Sequence, residues 1–226
     1  MYLASLPPKR YKMGNFVRYA EKQLRDLKVD VRLNTKASAE DINALNPYAV
    51  FVCTGSAPIL PSSIKGIDGG NVYTVPEILS EKVKLTRKKV VVAGGGLTGM
   101  ETAEFLQEKG NEVTNIDMLS AMGAGAFQLL LMDEQSLTAQ HGVRTMPGHK
   151  LVEIRPDSVL LEDTAGYRIE LPCDAVVMSL GVKSINALAV ELDGMNNVFV
   201  LGEAQIAGQR VPQAIHPAFE AAWNLK

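Results

Sequence analysis

Cysteine is scarce in this sequence: there are two in 226 residues, and neither sits in a C-x-x-C or C-x4-C pair. That argues against a redox-active disulfide inside the chain and against a cysteine-ligated zinc or cluster. Cys53 and Cys173 each lie in an apolar run and read as buried free thiols of a reducing, cytoplasmic compartment. No apolar run approaches the ~20 residues of a membrane span. Pro7, Pro8, Lys9 and Arg10 interrupt the start too early for a signal peptide. The formal net charge is −2, so no basic excess points to nucleic acid or an anionic membrane.

What is present is a globular composition, 46% hydrophobic and 21% charged, enough for one large domain or two modest ones. The organising stretch is Val90 to Asp117. Val90 to Ala93 is apolar and β-branched, as in a buried parallel strand. Gly94, Gly96 and Gly99 follow as G-x-G-x-x-G, with Gly95, Leu97 and Thr98 between them. Met100, Ala103, Phe105 and Leu106 carry helical spacing, and Gly110 is placed to end that helix. Glu112 to Ile116 is a second strand, with Asp117 at its C-terminal end.

Each part has a physical task. Gly94 allows the tight turn, Gly96 lets backbone approach a pyrophosphate, and Gly99 lets helix and strand pack closely. The helix N-terminus offers unpaired N–H groups and a positive dipole end. An acid ~20 positions on can hold the adenine ribose hydroxyls, and Asp117 is at that distance. In isolation the glycine pattern is weak, because any strand-to-helix turn can produce it. Strand, helix, second strand and terminal acid together point to a dinucleotide. The carboxylate repels a 2′-phosphate, and Met118, Leu119 and Ser120 supply no cation for one, so NAD(H) is favoured over NADP(H).

Around this unit, Met1 to Lys12 reads as a solvated connector and Met13 to Lys28 as a helix with Phe16, Val17, Ala20, Leu24 and Leu27 on one face. Val29 to Leu33 alternates as a strand. Ser38 is an N-cap with Asp41 three residues on. Tyr48 to Cys53 is an apolar strand leading into a long loop, Val75 to Leu79 is one helical turn, and Lys82 to Lys89 is a linker. Phe127 to Gln140 is an apolar-faced helix, and Val143 to Met146 a third short strand. Three β-rich runs, His149 to Ile154, Ser158 to Asp163 and Tyr167 to Leu171, fit an antiparallel ribbon inserted in a parallel α/β unit. Ala175 to Leu180 and Asn196 to Leu201 are further strands. Val211 to Trp223 is a final helix with Ile215, Phe219, Ala222 and Trp223 toward a core. Met118, Met122 and Met132 read as core filling. His141 and His149 read as surface residues, and His216 either as a cofactor contact or as a helix-terminal structural residue. No catalytic residue and no metal ligand is singled out.

In this order, the fingerprint, the ribbon, Ser179 to Asn186 and Val198 to Ala204 resemble the two-dinucleotide-domain flavoproteins related to pyridine nucleotide–disulfide oxidoreductases. Phe51-Val-Cys-Thr-Gly-Ser56 with Pro58, Pro61 and Gly66-Ile-Asp68 is similar to that family's crossover out of an FAD domain, which marks Thr54 and Gly55. Ala214 to Ala222 resembles the closing helix of 2,4-dienoyl-CoA and enoate reductases, Old Yellow Enzyme-type proteins with an FMN barrel and an iron–sulfur cluster. The resemblance implies an α/β fold: a Rossmann-like parallel-sheet NAD(H) domain with a three-strand antiparallel ribbon, inserted in a truncated FAD-type domain. It implies boundaries of 1–80 and 191–226 for the FAD-type parts and 81–190 for the NAD(H) domain. Glu101 and Gly181 would lie near the nicotinamide. Gly202 and Glu203 would lie near the flavin, with Glu203 standing where aspartate is usual.

The implied activity is hydride transfer from NADH to FAD in a parent enzyme that reduces enoyl or dienoyl substrates. Residues 1–226 contain no first G-x-G-x-x-G for FAD, no barrel and no cluster cysteines. The chain alone is therefore expected to bind NAD(H) but not to hold FAD stably, with FMN and the cluster belonging to N-terminal domains of the parent. The alternatives are a free-standing NAD-binding module and a fragment of an NADH oxidase. An incomplete FAD-domain sheet edge would also be a surface for pairing with a second copy.

Overall fold

The computed structural model describes residues 2–6 and 12–225. The connector expected over Met1 to Lys12 falls largely on residues 1 and 7–11, outside the described residues. The first elements are α1 (Lys12–Asp26), α2 (Ala39–Leu45), β1 (Val50–Val52), β2 (Ser56–Pro58), β3 (Val72–Thr74) and α3 (Val75–Leu79). Next come β4 (Lys89–Ala93), α4 (Leu97–Glu108), β5 (Glu112–Asp117), α5 (Gln128–Gln140) and β6 (Arg144–Pro147). The ribbon strands are β7 (His149–Ile154), β8 (Ser158–Asp163) and β9 (Arg168–Pro172). The chain closes with β10 (Ala175–Met178), β11 (Val182–Ser184), α6 (Ala187–Glu191), β12 (Val198–Val200) and α7 (Val211–Trp223).

Two compact units result. One comprises Met1–Val29 with Leu60–Leu180, the other Asp30–Ile59 with Gly181–Lys226. β3 pairs in parallel with β10, which draws the segment before residue 80 into the large sheet.

In the first unit five parallel strands run in the order β3-β10-β4-β5-β6. Alternation along the strands sends Val91, Ala93, Val176 and Met178 to one face, where they pack with Leu151, Ile154, Val159 and Leu161 of the ribbon. Val90, Val92, Ala175 and Val177 point to the other face and meet Ile78 and Leu79 of α3 and Ala103 and Leu106 of α4. Both faces are covered, which is why these strands read as continuous apolar runs. The expected ribbon is present as the antiparallel sheet β7-β8-β9. Gly110, at φ +83°, ends α4 as expected, its N–H donating to the Gln107 carbonyl.

The second unit is thinner. β1 pairs in parallel with β12, and β2 pairs antiparallel with β11. Its core is Ile42, Val52 and Leu192, flanked by Val50, Leu188, Met195 and Val198. Ser38 caps α2 as expected: its hydroxyl accepts the Asp41 N–H, and Asp41 accepts the Ser38 N–H. Phe51 and Phe199 stack with centroids 5.3 Å apart across β1 and β12.

Several expectations fail for a common reason: an apolar pattern needs a partner. Val29 to Leu33 is not a strand, and Val29, Val31 and Leu33 are exposed. α7 forms, but Ile215, Phe219 and Trp223 are exposed, with the two rings stacked on each other rather than in a core. α1 buries no residue. On α5, Leu129, Leu130 and Met132 face solvent, while Glu134, Leu137 and Thr138 are the buried residues. Of the three methionines expected to fill core, only Met122 does. Cys53 is exposed rather than buried; Cys173 is buried, and both are free.

Candidate functional site

The glycine turn sits where the sheet's connections diverge. From β4 the chain passes through α4 to β5 on one side, while β10 lies on β4's other side. In open α/β sheets ligands bind at such a switch point, beyond the C-terminal strand ends. Gly94 leaves β4 at φ +114°, and a side chain there would meet the Ser179 carbonyl oxygen at 2.1 Å. A side chain on Gly99 would meet the Gly94 carbonyl oxygen at 1.9 Å. These two glycines therefore let the turn, α4 and the end of β10 come together. Gly96 differs: a Cβ there would have nothing within 4 Å. It lies at the N-cap of α4 and offers no side-chain cap to the helix. The first-turn N–H groups at Leu97, Thr98 and Gly99 have no acceptor within their own helix, and the space above Gly96 is open.

Asp117 stands at the rim of this turn. Its Oδ2 accepts the Gly95 N–H at 2.6 Å and its Oδ1 accepts the Leu119 N–H at 2.8 Å. Two fixed donors thus aim the carboxylate, and a carboxylate has about four acceptor sites, so capacity for ribose hydroxyls remains. Met122 packs over Gly95, and the Gly123 N–H donates to the Gly95 carbonyl at 2.6 Å, so the segment after β5 walls one side. Glu101 lies in the second turn of α4 and is half-buried.

Two residues that the sequence reading passed over hold this geometry. Asn115, fully buried, donates from Nδ2 to the Val92 and Gly94 carbonyls, each at 2.9 Å. Ser179 closes the other side, its N–H donating to the Ala93 carbonyl at 2.8 Å. β5 reads Glu-Val-Thr-Asn-Ile-Asp, so its sequence did not mark Asn115 out; the structure shows it buried, and buried amides must be partnered.

The remaining marked residues gather in the second unit. The Thr54 hydroxyl donates to the Ile185 carbonyl, and the Ile185 N–H donates to the Gly55 carbonyl at 2.9 Å. The Ile59 N–H donates to the Gly181 carbonyl at 3.0 Å, extending the β2–β11 pair. Gly202 follows β12 at φ +60°. Glu203 accepts the Ser56 hydroxyl at 2.7 Å and the Gly208 N–H at 3.2 Å. Its carboxylate is therefore engaged by the protein itself.

His216 is exposed on α7. His149 is half-buried, its Nδ1 2.8 Å from the Pro147 carbonyl oxygen. His141 is not a plain surface residue: its Nδ1 lies 3.0 Å from Oε1 of the buried Glu104. Among the described residues no helix is long and apolar enough to cross a membrane.

The parallel sheet, the uncapped glycine turn at its switch point and the antiparallel ribbon define a Rossmann-like α/β unit. Residues 21–222 match the pyridine nucleotide-disulphide oxidoreductase family, and the chain belongs to it. It is 31% identical over 222 residues to a bilirubin reductase of Mediterraneibacter gnavus, covering 97% of this chain and 34% of that protein. It is 32% identical over 228 residues to an NADH oxidase of Thermoanaerobacter brockii, covering 99% and 35%. A solved 2-naphthoyl-CoA reductase in complex with 2-naphthoyl-CoA matches with a TM-score of 0.89 at 29% identity, over 97% of this chain and 33% of that one. The chain thus spans about a third of the length of the relatives it matches.

Proposed function

We propose that this chain is the NAD(H)-accepting portion of a flavin-dependent oxidoreductase. The observation that carries the reading is the glycine turn: Gly94 and Gly99 are closed by packing, while Gly96 faces open space over an uncapped helix N-terminus. A pyrophosphate fits there, between the Gly95–Gly96 backbone and the N–H groups of Leu97, Thr98 and Gly99. Asp117, aimed by Gly95 and Leu119, would take the adenine ribose and disfavour a 2′-phosphate. Glu101 is the residue assigned to the nicotinamide half. Bound NADH supplies a hydride, which FAD in the full-length protein accepts. Thr54, Gly55, Gly202 and Glu203 are the residues of this chain proposed to serve the FAD-type unit. The rest of the parent supplies the FAD pyrophosphate site, the FMN and the iron–sulfur cluster. Reduction of enoyl- or dienoyl-type substrates is the proposed overall reaction; the likeness to a 2-naphthoyl-CoA reductase supports a reductase of conjugated acyl groups.

The test is calorimetric titration of the chain with NADH, NADPH and FAD separately. Micromolar NADH binding, lost in Gly96→Val, with weaker NADPH binding and no stable FAD, is the expected result. Tight FAD binding would show a pyrophosphate site elsewhere in the chain. Absence of NADH binding would overturn the assignment of the turn.

A further inference from the structure

We propose that Glu104, Glu108 and His141 form a site for a zinc-class divalent cation that clips the C-terminal half of α4 to the end of α5. Glu104 and Glu108 are one turn apart and share a face of α4. His141 is the C-cap residue of α5 and presents its ring to both: Nδ1 is 3.0 Å from Glu104 Oε1, and Nε2 is 3.8 Å from Glu108 Oε1. One donor atom from each of the three lies within 4.8 Å of the other two.

These distances suit a small cation. Ligand bonds of ~2.0–2.1 Å in a tetrahedral site put neighbouring donor atoms ~3.3 Å apart. The Nδ1–Oε1 separation is already close to that edge. A single ion takes one ring nitrogen of His141, and Glu108, 44% exposed, is the more accessible of the two carboxylates. The backbone behind the imidazole is fixed, because the His141 N–H donates to the Leu137 carbonyl and the Val143 N–H to the Thr138 carbonyl, both at 2.9 Å.

The donor set selects the ion. One imidazole with two carboxylates fits zinc and its neighbours, whereas magnesium and calcium take all-oxygen sets. Three protein ligands leave a fourth position to water. Glu104 is 1% exposed and serves as the anchor; the partly exposed His141 and Glu108 provide the way in. The site lies on the helix whose other end carries the glycine turn, and its role is to hold that helix against α5.

The test uses the whole chain, stripped with chelator and then titrated with Zn²⁺ against a chromogenic competitor. One equivalent should bind saturably, and Zn²⁺ but not Mg²⁺ should raise the thermal midpoint. His141→Ala and Glu104→Gln should each weaken binding by roughly tenfold or more, and Glu108→Gln by less. If Glu104→Gln fails to fold by circular dichroism, His141→Ala and Glu108→Gln carry the test from the accessible side. NADH titration of the same variants should be unchanged, which separates this site from the dinucleotide reading. Lack of one-equivalent saturable binding, or binding that survives His141→Ala, overturns the proposal.

Discussion

The Asp117 carboxylate accepts the Gly95 N–H at 2.6 Å, so the acid at the end of β5 and the middle of the glycine turn are held as one piece. On the NAD(H) assignment proposed above, this links cofactor choice to turn geometry. Asp117→Asn removes the charge and puts an amide N–H where either Gly95 or Leu119 already donates. Hydrogen bonds to a charged group contribute ~1.5–3 kcal/mol. NADH affinity should therefore fall by roughly tenfold to a hundredfold in calorimetry. The preference over NADPH should narrow at the same time, because the repulsion of a 2′-phosphate is gone.

The three fingerprint glycines should separate in mutagenesis. Gly96→Val places its side chain in open space, so the fold should survive with an unchanged thermal midpoint while NADH binding is lost. Gly94→Ala combines a φ of +114° with a 2.1 Å approach to backbone, and Gly99→Ala meets the Gly94 carbonyl oxygen at 1.9 Å. Both should lower the thermal midpoint, since backbone cannot yield as a flexible side chain does. Destabilisation of a few kcal/mol is expected, as for other overpacked sites (~1–3 kcal/mol).

The two thiols should differ sharply. Burial, with Asp174 and Asp157 nearby, pushes the Cys173 thiol up to about 11. Cys53 is exposed, although partial desolvation raises its thiol too. Only thiolate reacts readily. At pH 8 a disulfide reagent should label one thiol per folded chain, and Cys53→Ser should abolish that phase. Cys173 should react only once denaturant is added.

Glu77 gives a pH dependence with a definite sign. Its Oε2 accepts the Thr74 hydroxyl at 2.7 Å and the Thr74 N–H at 2.8 Å, capping α3. Those bonds hold its carboxyl below the ordinary 4.5. A lowered folded-state value means the stabilisation is fully present above the unfolded value and is lost as pH falls through the folded one. Glu77→Ala should cost about 1 kcal/mol at neutral pH, as for a lost cap. In acid denaturation followed by circular dichroism, the gap from the parent chain should narrow as pH falls below the ordinary 4.5 and close once it passes the lowered folded-state value.

What the sequence could show was local and periodic. The strand, glycine turn, helix and acid from Val90 to Asp117, the Ser38–Asp41 cap and the ribbon's hairpin spacers each rest on residues near one another in the chain. Their conformations follow from backbone sterics, capping chemistry and alternation. The tertiary structure decided what depends on a distant partner. Val29 to Leu33 has a strand's alternation but, among the described residues, pairs with no other strand. The apolar residues of α7 have a helix's spacing but no core to bury them. Asn115 and Ser179 became positioning residues only because β4, β5 and β10 end side by side. Likewise Glu104 and His141 meet only because α4 packs on α5. A side chain's propensity is carried in its own neighbourhood; its burial and its partners are set by whichever surfaces the fold brings against it.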